Sequence, residues 1–191
     1  MKKDPPSEQL QPIINLYNQG QLQQALSESS QLLERFPNSV VLYNIAGACN
    51  AGLMQFDAAI NNYKKALKIK PDYADAYNNM GNALKDKGDL EAAIESYNQA
   101  LKIKPDWAEG YSDLGNALLL LNQTEQALVS YEKAISLKKD LNAAISGLGN
   151  ALLKKGEHSE GLDKLRQSEG SILFNIKIGL SIKLGGMQCN E

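Results

Sequence analysis

The sequence returns to the same residue types at an interval of 34 positions. The tetrapeptide GNAL occurs at 81–84, 115–118 and 149–152, so each copy begins 34 residues after the one before it. Other columns that keep the interval are Tyr43, Tyr77 and Tyr111; Gly47 and Gly81; Ala59, Ala93 and Ala127; Tyr63, Tyr97 and Tyr131; and Pro37, Pro71 and Pro105. A fixed period of this length predicts a repeat protein, in which each unit packs only against its neighbours.

Each repeat unit is predicted to form two antiparallel helices. In the unit 74–107, apolar residues recur at helical spacing in two segments. They are Tyr77, Met80 and Leu84 in the first segment, and Leu90, Ala93, Ile94, Tyr97 and Leu101 in the second. Gly88 lies between the segments, where a helix end favours a residue that tolerates positive φ, and Pro105 ends the second helix. The small residues Gly81 and Ala93 are expected to let the two helix backbones approach closely.

The order of aromatic, glycine, alanine, aromatic and proline in these columns resembles the tetratricopeptide repeat (TPR) family. The resemblance covers about residues 6–170. It departs from the family pattern in having Tyr for the first Trp, and Leu84 and Leu118 for a second aromatic in the first helix. The resemblance implies an all-α fold, a right-handed α-solenoid superhelix of antiparallel helix pairs.

The period also predicts where the units begin and end. We predict a disordered N-terminus at 1–5, a divergent first repeat at 6–39, repeats at 40–73, 74–107 and 108–141, a degenerate last repeat at 142–170, a capping helix or strand at 171–184 and a tail at 185–191. The end repeats are expected to be atypical because each has a neighbour on one side only.

The segment 171–184 departs from the repeat pattern. Its apolar residues alternate with other residues and are Ile172, Phe174, Ile176, Ile178, Leu180, Ile182 and Leu184. Alternation rich in isoleucine favours a strand or extended tail, whereas the four-residue spacing of Ile172, Ile176 and Leu180 leaves a capping helix open. A lone strand needs a partner, which would be a second copy of the chain, an apolar patch on the repeats or a following domain.

The composition argues against several classes of function. The chain has 20 basic and 22 acidic residues, so no charge excess favours nucleic acid or an anionic membrane as partner. Cys49 and Cys189 are far apart in sequence and no secretion signal is evident, which favours a cytoplasmic location. No apolar run approaches the roughly 18 residues of a membrane span, and neither metal-ligand spacing nor a phosphate-binding loop is present. We therefore expect no enzyme activity, no cofactor and no metal.

The resemblance also suggests a binding groove, because the first helix of each TPR unit lines the concave side of the array. Asparagines stand at that side in several units, and a carboxamide can pair with the backbone of an extended peptide whatever its sequence. Such asparagines can instead bond a neighbouring repeat or water, and the sequence leaves both roles open. The unit 108–141 continues GNAL with Leu-Leu-Leu where the unit 74–107 has Lys-Asp-Lys, which predicts an apolar patch unless the tail or another copy covers it. The candidate partner-binding residues are Asn44, Asn78, Asn79, Asn82, Asp113, Asn116, Leu119, Leu120, Asn150 and Leu153.

Two known groove types bear on this prediction. Chaperone-binding members of the family grip a C-terminal carboxylate with lysine and arginine, but the corresponding columns here hold no basic residue, so a carboxylate clamp is not expected. The columns contain Asn44, Asn78, Ser112 and Ser146; Val41, Asp75, Glu109 and Ala143; and Ile45, Asn79, Asp113 and Gly147. The asparagine-rich groove is similar in part to the repeat arrays of O-linked N-acetylglucosamine transferases.

The sequence therefore predicts a scaffold that binds an extended segment of a protein or peptide partner in its groove. Two alternatives remain open. The chain would be the N-terminal substrate-docking part of a larger enzyme of glycosyltransferase, sulfotransferase or oxygenase type, or it would self-assemble as a homodimer through 171–184.

Overall fold

Helices account for most of the chain that the computed structural model describes, which is residues 4–169, 183–184 and 187–188. The helices in these ranges are α1 (Ser7–Asn18), α2 (Leu22–Arg35), α3 (Val40–Gly52), α4 (Phe56–Ile69), α5 (Ala74–Lys87), α6 (Leu90–Ile103), α7 (Ala108–Leu120), α8 (Thr124–Leu137), α9 (Asn142–Lys155) and α10 (His158–Glu169). Each odd-numbered helix packs against the even-numbered helix that follows it. The predicted all-α fold of helix pairs is confirmed.

The predicted tail falls almost entirely outside the described residues. Of 171–184, only Lys183–Leu184 is described, as strand β1, and it pairs antiparallel with β2, Met187–Gln188. At the other end, residues 1–3 also lie outside the described part. Asp4 accepts a hydrogen bond of 2.6 Å from the Ser39 hydroxyl and Pro5 is buried, so these two residues are tied to the first repeats although we expected disorder as far as residue 5.

A left-handed residue ends the first helix of every pair. The five positions, 34 residues apart, are Gly20, Met54, Gly88, Asn122 and Gly156, with φ of 75°, 59°, 94°, 62° and 95°. A backbone that passes through this region reverses the chain and leads it into the second helix. The role predicted for Gly88 is thereby confirmed, since it is the C-cap of α5.

The chain divides into two units, Met1–Pro105 and Asp106–Glu191. In the first unit the pairs are α1/α2, α3/α4 and α5/α6, and in the second unit they are α7/α8 and α9/α10. Consecutive pairs within a unit are joined by packing of α2 on α3, α4 on α5, and α8 on α9, while α3 also contacts α5 and α7 contacts α9. This arrangement brings the first helices of neighbouring pairs side by side.

The glycines of the GNAL column make room for a tyrosine ring. A Cβ atom on Gly81 would lie 2.7 Å from Cε1 of Tyr97, and one on Gly115 would lie 2.7 Å from Cε1 of Tyr131. The two tyrosines are completely buried. A clash with an aromatic ring, rather than close approach of two backbones, therefore explains the glycine in these pairs.

The last pair is the exception, and there the expected close approach of two backbones is found. A Cβ atom on Gly149 of α9 would lie 2.9 Å from the backbone oxygen of Gly161, and the reverse distance, from Gly161 to the Gly149 oxygen, is also 2.9 Å. Leu165 takes the place of the tyrosine in this pair. The smaller side chain lets α10 lie closer to α9.

Among the residues described, no helix is both long and apolar enough to cross a membrane.

Candidate binding surface

The predicted groove residues lie on the first helices of the pairs. We call the surface formed by α1, α3 and α5 in the first unit, and by α7 and α9 in the second, the first-helix face of that unit. Most of the predicted residues are partly exposed there, but they differ in what their side chains contact.

Two of the GNAL asparagines are held by the tyrosine of their own pair. The Tyr97 hydroxyl donates a hydrogen bond of 2.7 Å to Oδ1 of Asn82, and the Tyr131 hydroxyl donates one of 2.8 Å to Oδ1 of Asn116. Both asparagines are partly exposed. The contact fixes the orientation of each carboxamide through its oxygen and leaves the NH₂ group, with two donors, as the part available for other contacts.

The tyrosine–asparagine contact is incomplete in two other pairs. Asn150 is exposed, and Leu165 stands where the partner hydroxyl would be. In the pair α3/α4 the tyrosine is present as Tyr63, but Ala48 stands where the asparagine would be. The signal for this contact was in the sequence, because asparagine and tyrosine occur 15 residues apart in two pairs, but sequence reasoning did not connect them.

A second asparagine contact links neighbouring first helices in the first unit. Nδ2 of Asn79 on α5 lies 3.2 Å from Oδ1 of Asn44 on α3, at hydrogen-bonding distance, and both residues are partly exposed. The adjacent Asn78 is only 5% exposed. One position along a helix turns the side chain by about 100°, which is enough to carry Asn78 into the interior, and we therefore leave it out of the binding surface.

In the second unit the predicted leucines are not equivalent. Leu120 at the end of α7 is 59% exposed, and Leu119 is partly exposed. Leu153 contacts the second helix of its own pair, because a Cβ atom on Gly161 would lie 2.9 Å from Leu153 Cδ2. Leu120 is thus the leucine with most surface to offer a partner.

Two charged groups adjoin the leucines and Asn116. The Lys154 ammonium donates to the backbone oxygen of Leu119 (3.0 Å) and to Oδ1 of Asn122 (2.6 Å), so it caps the C-terminal end of α7. Asp113 is partly exposed. Burial, and after it the negative charge of Asp113, raises the pKa of Tyr131, so its hydroxyl remains a donor at physiological pH.

Two observations concern the titratable groups of the described residues. No group of three or more His, Cys, Asp or Glu side chains in this part of the chain is placed to hold a metal ion. Burial raises the pKa of Cys49 to about 11, which keeps the thiol protonated and a poor nucleophile. The side chains of the candidate surface offer hydrogen bonding and apolar contact.

Several solved structures share this fold. MamA residues 41 to its end, from Desulfovibrio magneticus RS-1, is 19% identical with a TM-score of 0.76, and the match covers 85% of this chain and 92% of that one. TTC0263, a thermophilic TPR protein in Thermus thermophilus, is 22% identical with a TM-score of 0.71, covering 85% and 89%. YrrB, described as a TPR protein with an unusual peptide-binding site, is 18% identical with a TM-score of 0.66, covering 82% and 80%. At these identities the similarity is one of fold.

Comparison with curated proteins gives no match. Family models, in contrast, match most of the repeat region. A model of the TPR repeat matches residues 55–88, 81–122 and 115–156, and a second model, of the tetratricopeptide repeat, matches 14–39. The matched residues make up more than half of the sequence and fall within the helical region from α1 to α9. The chain belongs to the tetratricopeptide repeat family.

Proposed function

We propose that this chain is a protein-interaction module that binds an extended, neutral peptide segment of a partner along the first-helix face of a unit, in a binding rather than a catalytic role. The TPR fold supports an interaction scaffold, and YrrB, which shares the fold, is described as having a peptide-binding site. The asparagines of the first-helix faces supply the donors for the peptide backbone.

The observation that carries the proposal is the way in which Asn82 and Asn116 are held. Each carboxamide oxygen accepts a hydrogen bond from a buried tyrosine hydroxyl, so each NH₂ group is oriented before a ligand arrives. Immobilising a flexible side chain on binding costs roughly 0.5–1.5 kcal/mol. Here the side chains are already ordered in the folded chain, so most of this cost does not arise on binding. Oriented NH₂ donors suit the carbonyl groups of a peptide backbone regardless of its sequence.

The energies require apolar anchors as well. A hydrogen bond contributes only about 0.5–1.5 kcal/mol net, whereas a micromolar complex needs roughly 8 kcal/mol beyond its ordering costs. Tyr17 on α1 (40% exposed) and Leu120 on α7 (59% exposed) are the large exposed hydrophobic residues that lie on first helices within the described chain. Full burial of such a side chain contributes roughly 1.5–3 kcal/mol, so one anchor in each unit adds substantially to the asparagine contacts.

The test replaces donors while preserving structure. The probe is the tightest binder selected on the wild-type chain from a random library of 12-residue peptides. In the variant Asn82→Asp, Asn116→Asp, Asn150→Asp, the carboxylates still accept from Tyr97 and Tyr131 but no longer donate. We expect binding of the probe to weaken by about tenfold or more, as measured by isothermal titration calorimetry, with the helical content unchanged by circular dichroism.

The matched control carries Asn61→Asp and Asn98→Asp, which add the same kind of charge at exposed positions of the second helices α4 and α6. We expect the control to bind the probe as the wild-type chain does. Equal affinity of the triple variant and the wild-type chain would contradict the role of the asparagines, and a library that yields no binder would contradict the proposed function itself.

A further inference from the structure

The pair α3/α4 differs from the two pairs that follow it at a single informative position. Asn82 and Asn116 accept a hydrogen bond from the tyrosine of their pair, but the corresponding residue in α3 is Ala48. Tyr63 is nevertheless kept. The pair therefore has the donor of the contact without its acceptor.

The ring of Tyr63 is placed as in the sister pairs. A Cβ atom on Gly47 would lie 2.5 Å from its Cε1 and 2.8 Å from its Cζ, compared with 2.7 and 3.0 Å for Gly81 and Tyr97. Because the rings lie over their glycines in the same way, the Tyr63 hydroxyl extends toward Ala48 on the first-helix face. In the column where the sister tyrosines meet a carboxamide, this pair has the methyl group of Ala48.

This hydroxyl is a donor that the rest of the described chain does not use. Tyr63 is 2% exposed, and within residues 4–169 its hydroxyl forms no hydrogen bond. Burial raises the pKa of Tyr63, and the neighbouring Tyr17 and Cys49 raise it further, so the proton stays on the oxygen. This oxygen is not among the fully buried side-chain atoms of the described chain that lack a partner, so it keeps some contact with solvent, from which a ligand can reach it.

The surroundings indicate what kind of acceptor would fit. Ala48 and, one turn later in α3, Ala51 are partly exposed, and Tyr17, which acts on the pKa of Tyr63, provides an aromatic flank that is 40% exposed. Neither α1 nor α3 contains a lysine or an arginine. The ammonium of Lys65 on α4 lies over the ring of Tyr43, five residues before Ala48 in α3. Because neither first helix supplies a cation of its own, a neutral carbonyl suits this place better than a carboxylate, and the alanine methyl groups leave room beside a small side chain.

We propose that the Tyr63 hydroxyl, Ala48 and Tyr17 form a subsite for the partner, in which the tyrosine donates its proton to a main-chain carbonyl of an uncharged, small residue. The peptide carbonyl takes the place that the carboxamide oxygen of Asn82 or Asn116 occupies in the sister pairs. The subsite rests on the proposed function, since it is part of the surface along which the extended peptide lies.

The test fills the subsite with the group that the sister pairs carry. Ala48→Asn supplies an acceptor for Tyr63 and occupies the space, so we expect the library-selected peptide to bind about tenfold more weakly or worse. The melting temperature should stay the same or rise. Tyr63→Phe removes only the hydroxyl and should weaken binding about fivefold. Ala58→Asn, at an exposed position of α4, is the matched control and should bind as the wild-type chain does.

The outcomes separate this inference from the proposed function. If Ala48→Asn and Tyr63→Phe bind the peptide as the wild-type chain does while the triple aspartate variant does not, the subsite is wrong and the proposed function stands. If none of these variants weakens binding, both are wrong. Should Ala48→Asn fail to fold, the binding of Tyr63→Phe alone tests the subsite. This variant loses only the hydroxyl oxygen, and its ring remains packed on Gly47.

Discussion

A single tyrosine on the second helix determines two consecutive residues on the first helix of its pair. The ring of Tyr97 lies against Gly81, where any Cβ atom would clash. Its hydroxyl donates a hydrogen bond to the carboxamide oxygen of the next residue, Asn82. The same holds for Tyr131 with the glycine and asparagine of its own pair. Glycine followed by asparagine thus serves the two ends of one aromatic side chain.

The glycine requirement predicts a loss of stability for Gly81→Ala. Overpacking a core costs about 1–3 kcal/mol, whereas alanine gains up to about 1 kcal/mol over glycine in a helix. Because the added methyl group would lie 2.7 Å from the Tyr97 ring, we expect the clash to dominate. The free energy of unfolding, measured by urea denaturation, should fall by about 1 kcal/mol.

The same substitution in a Tyr97→Ala background provides the control. With the ring removed, Gly81→Ala should be neutral or stabilising, by up to about 1 kcal/mol, because only the helix propensity remains. A loss of equal size in both backgrounds would show that something other than the ring opposes the methyl group.

At this scale the sequence predicts positions better than contacts. The columns of Gly81 and Tyr97 follow from the period alone, since identical residues at a fixed interval must occupy equivalent places. The contact of Tyr97 with Asn82 depends on how far one side chain reaches across two helices, which spacing does not reveal. Asn78 illustrates the same limit, because a polar residue type gives no sign that tertiary packing has buried it.

At the scale of the helix pair, the turn between the two helices is built on one left-handed residue. Glycine occupies this position in three of the described pairs, but Met54 and Asn122 occupy it in the others, with φ of 59° and 62°. Asparagine tolerates this conformation, whereas for methionine the Cβ atom approaches the following carbonyl oxygen. The turn of α3/α4 is therefore strained. The sequence did not reveal a left-handed conformation at Met54, whereas the glycine at position 88 did.

Met54→Gly is expected to stabilise the chain. A left-handed conformation costs an ordinary residue about 1–2 kcal/mol, and part of the gain is offset by the greater entropy that glycine loses on folding. Met54 is 76% exposed, so little burial is lost with its side chain. The free energy of unfolding in urea should rise by about 0.5–1 kcal/mol.

Two variants check this explanation. Met54→Ala keeps the strain and should change stability by less than about 0.5 kcal/mol. Gly88→Ala introduces the strain where a new methyl group would meet nothing within 4 Å, and should lose about 1 kcal/mol. If Met54→Ala stabilised the chain as much as Met54→Gly, the exposed methionine side chain and not the backbone would be the cause.

At the scale of the whole molecule, burial is uneven along the array. In the first unit, α1 buries only Ile13, whereas α5 buries seven residues. In the second unit, Gly161 is the buried residue among the described positions of α10, while α7 again buries seven. In a repeat protein each pair is stabilised mainly by its neighbours, so the helices that bury the fewest residues have the least to stabilise them.

Hydrogen exchange should reveal this gradient. We expect the amides of α1 to exchange at least about tenfold faster than those of α5, and those of α10 faster than those of α7, because low burial accompanies low local stability. Mass spectrometry of the native chain after deuterium labelling measures both comparisons. Uniform protection across these helices would contradict the gradient and indicate a single cooperative structure.

The fold as a whole was predictable, since a 34-residue period with two helical segments leaves few other architectures. The binding surface was predictable only in outline. The first helices were identified, but which asparagines are held, linked or buried depends on side-chain packing that the period does not specify. Residues 171–182 lie outside the described part of the chain, so the strand or capping helix expected there stays a prediction.

Both partners of the tyrosine–asparagine contact lie within one 34-residue period. This affects what happens when such a chain gains repeats by duplication. Any duplication of a whole 34-residue segment, wherever its breakpoints fall, copies the hydroxyl and its acceptor with their spacing of 15 residues intact. New pairs would arrive with this polar contact already complete. Loss of the asparagine acceptor, as at Ala48, would then arise by later substitution in single pairs. An array could in this way change its ligand preference while its core residues stay the same.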